Sequence, residues 1–224
     1  MANHLGPLMI SKESAFYTSC YCEENVWKLC EWVRDNEPKL IDFCFAVFIS
    51  NGSEKVPLWF QQAGDDDCQG FVIWDYHVIL VYDDQVNGGD EGTKEETNSK
   101  STCFVYDLDT LLSFPVSLEE YVNSSIQEDE TLRPEFHRWF RVIPAAQYLT
   151  SFASDRSRMK REDGTWIKEP PPYPPIATIN CSDNLKTLIS MDPENCDIGK
   201  VMNFNQFKNR FLHSSDSKDS EKKG

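Results

Sequence analysis

The chain has 224 residues, 40% of them hydrophobic, enough to fill the core of one large domain or two small ones. Its 37 Asp and Glu outnumber 22 Lys and Arg, for a formal net charge of −15; this argues against nucleic acid or an anionic membrane surface as a partner, since both need clustered cations. No apolar run approaches the roughly 20 residues that span a bilayer, and Met1-Ala-Asn-His-Leu-Gly6 lacks the basic and apolar parts of an export signal, so an intracellular, soluble protein is expected.

Residues 1–15 are polar and are expected to be loosely held. Loop-like residues then give way to a helix that begins at Cys22 and runs to about Asn36, with Val26, Leu29, Cys30 and Val33 at helical spacing. The apolar run Ile41–Ile49 reads as a buried strand, and Asn51-Gly52 as a hairpin turn into a second strand, Val56–Gln62. Phe71–Tyr82 reads as a long third strand and Cys103–Asp107 as a fourth, all consecutive and antiparallel. Between them, residues 83–101 are acidic, Gly-rich and nearly devoid of apolar side chains, the composition of a long loop. Ser117-Leu-Glu-Glu120 has the form of a capping box and predicts a helix carrying Leu118, Tyr121, Val122 and Ile126. Pro134 is expected to open a further helix with Phe136, Trp139 and Phe140 on one face and His137 on the other, and Ala145–Phe152 a short one. Glu169-Pro-Pro-Pro-Tyr-Pro-Pro175 is polyproline-like and reads as a rigid segment wrapped on the fold. Phe204, Phe207 and Phe211 end an amphipathic stretch, and residues 212–224 form a charged tail. The expected organisation is a single domain over residues 16–211, of mixed α/β (α+β) class, with an antiparallel sheet packed against helices.

Eight cysteines invite a disulfide framework, but the missing export signal and the apolar surroundings of Cys30, Cys44 and Cys103 favour free thiols. Cys20 and Cys22 are too close for the usual zinc spacing, and no second pair answers them, so no structural metal is expected. Cys22 is the distinctive one. A helix N-terminus presents unpaired N–H groups and a partial positive charge, which favour thiolate, although Glu23 and Glu24 oppose that pull. A cysteine nucleophile needs a base. Of the four histidines, His4 and His213 lie near the ends and His137 on the expected helix, which leaves His77. In a continuous strand Asp75 shares the face of His77, while Asp107 and Asp109 share a face with Val105 on the next. Either of those last two carboxylates would suit the second imidazole nitrogen, and the spacing does not choose between them.

Several runs resemble a known family: Cys20-Tyr-Cys-Glu-Glu-Asn-Val-Trp-Lys-Leu-Cys30, Val72-Ile-Trp-Asp-Tyr-His-Val78, Tyr106-Asp-Leu-Asp-Thr110, Phe152-Ala-Ser-Asp-Arg-Ser157, Pro170-Pro-Pro-Tyr-Pro174 and Ile189-Ser-Met-Asp-Pro193. They are similar to the protein N-terminal glutamine amidohydrolases, and the resemblance extends from Tyr17 to Phe211. It implies a papain- or transglutaminase-like fold and conversion of a protein's N-terminal Gln to Glu with release of ammonia. The implied triad is Cys22, His77 and Asp107. Cys22 would form a thioester, with its own N–H holding the oxyanion and His77 moving the proton, and no metal or organic cofactor is needed. The implied partners are proteins or peptides with N-terminal Gln. The implied setting is the N-degron pathway in cytosol and nucleus, and a monomer is expected. A carboxylate must read the substrate's α-ammonium group; Asp75 is the first candidate, followed by Glu24 and Asp155. Ser19 and Tyr21 flank the nucleophile and are candidates for shaping the pocket. The competing readings are a papain-like peptidase, which would produce peptide ladders, and a non-catalytic adaptor acting through the Pro-rich segment.

Overall fold

The computed structural model describes residues 7–84, 103–194 and 197–212. The expected acidic loop, from residue 85 onward, and the charged tail, from residue 213 onward, lie outside them.

Helix α1 (Cys22–Asn36) buries Val26, Leu29, Cys30 and Val33, and packs on strand β4 (His77–Asp83) and helix α3 (Ala145–Ser151). Burying side chains of that size contributes about 1.5–3 kcal/mol each, so the helix is fixed to the sheet beneath it. That sheet has six strands, all paired antiparallel: β6 (Val116–Ser117), β5 (Cys103–Tyr106), β4, β1 (Cys44–Ser50), β7 (Trp139–Pro144) and β8 (Lys200–Asn203), in that spatial order. Strand β1 lies centrally, with Ile49 opposite His77 and Cys44 opposite Tyr82. Its two faces are both buried. Cys44, Ala46, Phe48, Val78, Leu80 and Tyr82 face the core under α1 and α3. Phe45, Val47, Ile49, Ile79 and Val81 face a second core closed by helix α5 (Phe204–Phe211) and by the segment Leu118–Ile126, whose first turn is α2 (Leu118–Tyr121). Helix α5 is capped by Asn203 and Gln206, which each bond the other's backbone N–H, and Phe207 stacks on Phe140 at 4.3 Å. The fold is mixed α/β with an antiparallel sheet covered by helices. Among the described residues no helix is long and apolar enough to cross a membrane, and the described cysteines are free.

The chain departs from the sequence reading in four places. The run Phe71–Tyr82 is two strands in two different sheets: β3 (Val72–Trp74) pairs with β2 (Val56–Leu58), whereas β4 joins the main sheet. At the break, Asp75 Oδ1 accepts the Tyr76 N–H at 3.0 Å and Ser50 Oγ donates to the Asp75 carbonyl at 3.3 Å, in place of ladder bonds. Strands β1 and β2 do not form the expected hairpin. The buried Asn51 side chain accepts from Ser53 and Lys55 N–H and donates to the Lys55 and Glu135 carbonyls, diverting the chain. The helix expected after Pro134 is a single 3-10 turn followed by β7, which buries Phe140 and Val142 on one face. Arg141 hides that alternation because it is a buried cation, yet it donates to carbonyls of Thr187, Leu188, Ser190 and Ile198 around the end of helix α4 (Leu185–Ile189). Finally, residues 8–15 are not loose: Leu8 and Ile10 are buried in the core, and Lys12 Nζ donates to the Thr110 carbonyl at 2.7 Å.

Candidate active site

The loop before α1 is held by one side chain. Asn25 Oδ1 accepts the Thr18 N–H at 2.8 Å, and its amide donates back to the Thr18 carbonyl at 2.9 Å. Cys20 adopts a left-handed φ of 68°, and Tyr21 is the N-cap, with no side-chain cap bond. The first intrahelical bond runs from Asn25 N–H to the Tyr21 carbonyl, so the amides of the first turn, including that of Cys22, have no partner within the helix. Cys22 therefore emerges at a polarised helix end, on a helix packed against β4.

His77 is the first residue of β4 and 1% exposed. Its Nε2 bonds Asp107 Oδ1 at 3.0 Å. Its Nδ1 is buried and has no partner among the described residues. The Trp74 indole lies nearly parallel to the imidazole at 5.6 Å. Asp107 follows the last residue of β5 and is saturated with donors. Oδ1 also accepts the Asp109 N–H at 2.9 Å, and Oδ2 accepts the Tyr121 hydroxyl at 2.8 Å and Gln61 Nε2 at 3.3 Å. Gly70 lets the Gln61 segment approach: its φ is +63°, and a Cβ there would lie 2.8 Å from the Gln61 backbone N. Asp109, the alternative to Asp107, instead accepts the Tyr17 hydroxyl at 2.6 Å.

A cavity of about 300 Å³ joins these groups. Cys22, His77 and Asp109 line it together with Glu23, Trp74, Tyr76 and the 154–159 segment. The electrostatics follow from burial. Burial would raise the Asp107 carboxyl, but the His77 charge and the hydrogen bonds it receives hold it below the usual carboxylate range. Burial disfavours charge on the His77 ring, yet Asp107, Asp109 and Glu23 together raise its pKa above the ordinary value. Burial also pushes the Cys22 thiol well above its usual range, and the charges of Glu23 and Asp109 add to that. The expected lowering of this thiol by the helix end therefore does not hold. Burial, Glu23 and Asp109 act against the helix end and together favour the thiol over the thiolate at Cys22. An imidazole held by a carboxylate on one nitrogen and open on the other is built to take such a proton and return it. Ligand atoms of His77, Asp107 and Asp109 lie within 4.8 Å of one another, and His77 Nε2, Asp107 Oδ1 and Asp109 Oδ1 are engaged in the hydrogen bonds above.

The remaining sequence candidates separate clearly. Asp75 lines the cavity, but the strand break means it does not share a continuous face with His77, and its Oδ2 pairs with Arg158 at 3.1 Å. Glu24 is fully buried and turned away from the cavity. Arg156 grips it through Nε and a terminal nitrogen, both at 2.7 Å, and also donates to the Pro171 and Tyr173 carbonyls. That contact ties the polyproline-like segment to the fold, as a wrapping role requires. Ser19 is exposed and does not line the cavity; Tyr21 does, and its hydroxyl donates to the Lys168 carbonyl at 3.1 Å. Asp155 is an exposed lining carboxylate with no ion pair among the described residues, and the backbone N–H of Ser157 holds its pKa below the usual range. His137, expected on a helix, sits in a loop against the Leu132 carbonyl. Sequence reasoning missed Glu23, Trp74, Tyr121 and Gln61. Trp74 and Glu23 are close in sequence to residues it did single out, but nothing in their spacing marks Gln61 or Tyr121.

Residues 17–211 match a family model described as N-terminal glutamine amidase. The chain is 43% identical to the human protein N-terminal glutamine amidohydrolase over 210 residues, covering 94% of each chain. It is 44% identical to the Bos taurus protein of the same name over 210 residues, covering 94% of this chain and 93% of that one. It is 46% identical to the Drosophila melanogaster one over 198 residues, covering 88% of this chain and 89% of that one. With a helix-end cysteine and a carboxylate-bound histidine sharing one cavity, and with this match over nearly its whole length, the chain belongs to the N-terminal glutamine amidase family.

Proposed function

We propose that this protein hydrolyses the side-chain carboxamide of an N-terminal glutamine to glutamate and releases ammonia. One observation carries the chemistry: a histidine whose Nε2 is fixed by Asp107, with Nδ1 left without a partner among the described residues, lines the same cavity as Cys22. The family supplies the substrate class.

In this reading His77 Nδ1 takes the Cys22 proton as sulfur attacks the carboxamide carbon, and Asp107 steadies the imidazolium. The oxyanion is stabilised by amides at the start of the helix, that of Cys22 among them, which have no intrahelical partner. His77 then protonates the departing nitrogen, ammonia leaves and a thioester remains. Water, deprotonated by His77, hydrolyses it and restores the thiol. The nucleophile at a helix end, facing a histidine on an antiparallel sheet, is the arrangement of a papain- or transglutaminase-like hydrolase, and residues 16–211 act as its single catalytic unit. Asp155 is the best-suited reader of the α-ammonium group, because it lines the cavity with no ion pair among the described residues, whereas Asp75 and Glu24 are held by arginines. The same reading has the protein act as a monomer in cytosol and nucleus, supplying N-terminal glutamate to arginylation.

Mass spectrometry of a Gln-initiated peptide beside its N-acetylated twin tests this. The free peptide should gain about one dalton and release ammonia while the acetylated one is untouched. Peptide-bond cleavage, or equal reaction of both, would refute it.

A further inference from the structure

Glu23 is a buried ionisable group at the site for which the reaction above has no use. It is 3% exposed, lines the cavity, and its Oε2 lies 3.7 Å from Cys22 Sγ, accepting the thiol S–H. The Tyr76 hydroxyl donates to the same oxygen at 2.9 Å, and the backbone carbonyl of Glu23 accepts from Tyr148 at 2.9 Å, so both ends of the residue are fixed. A carboxylate offers about four lone-pair directions. When Cys22 gives its proton to His77, the S–H that occupies Oε2 disappears and an acceptor opens beside the reacting carbon.

Distances say what fills it. In a near-attack geometry the carboxamide carbon sits about 3–3.5 Å from sulfur, which puts its nitrogen at a similar range. Where the carboxamide approaches with its nitrogen on the Glu23 side, an acceptor 3.7 Å from sulfur comes within hydrogen-bonding reach of that nitrogen. Resting on the proposed deamidation, we propose that Glu23 is the specificity-determining residue for the carboxamide itself: its Oε2 accepts the amide N–H, orients the oxygen toward the helix-end amides, and repels the carboxylate that the reaction makes. The first contact selects glutamine over glutamate, and the second drives the product out. Burial pushes the Glu23 carboxyl up to about 7, so at slightly alkaline pH it carries the charge that this repulsion needs.

Calorimetry at pH 8 with the Cys22→Ala protein tests this, using peptides that differ only at the first residue: Gln, Glu, and the methyl-ketone isostere of Gln in which CH3 replaces NH2. The Gln peptide should bind at least tenfold more tightly than either of the others. Adding Glu23→Gln should shrink the Gln-to-Glu ratio at least tenfold, chiefly by tightening the Glu peptide. Equal binding of the Gln peptide and its ketone isostere would overturn the proposal even if Glu23→Gln failed to fold, and so would an unchanged Gln-to-Glu ratio in a folded double variant. Wild-type protein that releases no ammonia from the Gln peptide would instead bring down the deamidation reading, and this proposal with it.

Discussion

Two buried ionic clusters meet at the start of α1, and they differ in one respect. In the first, Glu24 and Arg156 satisfy each other bidentately, and the remaining guanidinium donors end on the Pro171 and Tyr173 carbonyls. In the second, Asp107 is saturated by four donors, but the His77 ring it holds keeps a buried nitrogen without a partner among the described residues, and His77 and Cys22 line one cavity. A closed set of buried charges fixes the fold, because nothing in it is free to react. An orphaned atom is costly to keep, and here it belongs to a residue that lines a cavity. Adjacent residues, Glu23 and Glu24, fall on opposite sides of this divide.

Breaking each cluster should separate rate from stability. Asp107→Asn keeps the size of the side chain but frees the ring to take the wrong tautomer, so it should slow ammonia release by about 10²- to 10⁴-fold in protein that is still folded. Asp109→Asn, which touches Tyr17 and not the ring, should cost far less. Equal losses would mean that the orienting role is shared. Arg156→Ala leaves Glu24 charged and unpaired in the core, which should lower stability by about 3–5 kcal/mol, read from denaturant unfolding. Unchanged stability there would show that the closed cluster is not structural.

The pH profile sharpens the same contrast. His77 is held above its ordinary pKa and Cys22 rests as a thiol, so protonated His77 cannot accept the thiol proton. The kcat/KM should therefore fall as pH drops through a value above 6.5, the ordinary histidine pKa, losing about tenfold per unit below it. A plateau extending to pH 5 would indicate a preformed thiolate–imidazolium pair instead.

The sequence reading located Cys22 and His77 because their positions carry local signals, a helix start and a β-rich run. It left Asp107 and Asp109 undivided by spacing, since only tertiary placement tells one carboxylate from the other, and it named Asp107 through the family resemblance alone. It put Asp75 beside His77 by assuming an unbroken strand, and no propensity marks the switch between sheets at Asp75-Tyr76. It carried a helix from Pro134 through Trp139 and Phe140, where Arg141 disguises a buried strand, and the carbonyls that satisfy this arginine come from residues more than forty positions away. Glu24 looked available to substrate because its partner, Arg156, is 132 residues distant.

The central claim is that sulfur at position 22, and not its neighbour at 20, performs the attack. Ammonia release from a Gln-initiated peptide, measured side by side on Cys22→Ser and Cys20→Ser proteins, tests it directly. No release above background from the first and near wild-type release from the second is the expected outcome; activity surviving in the first and lost in the second would contradict the account.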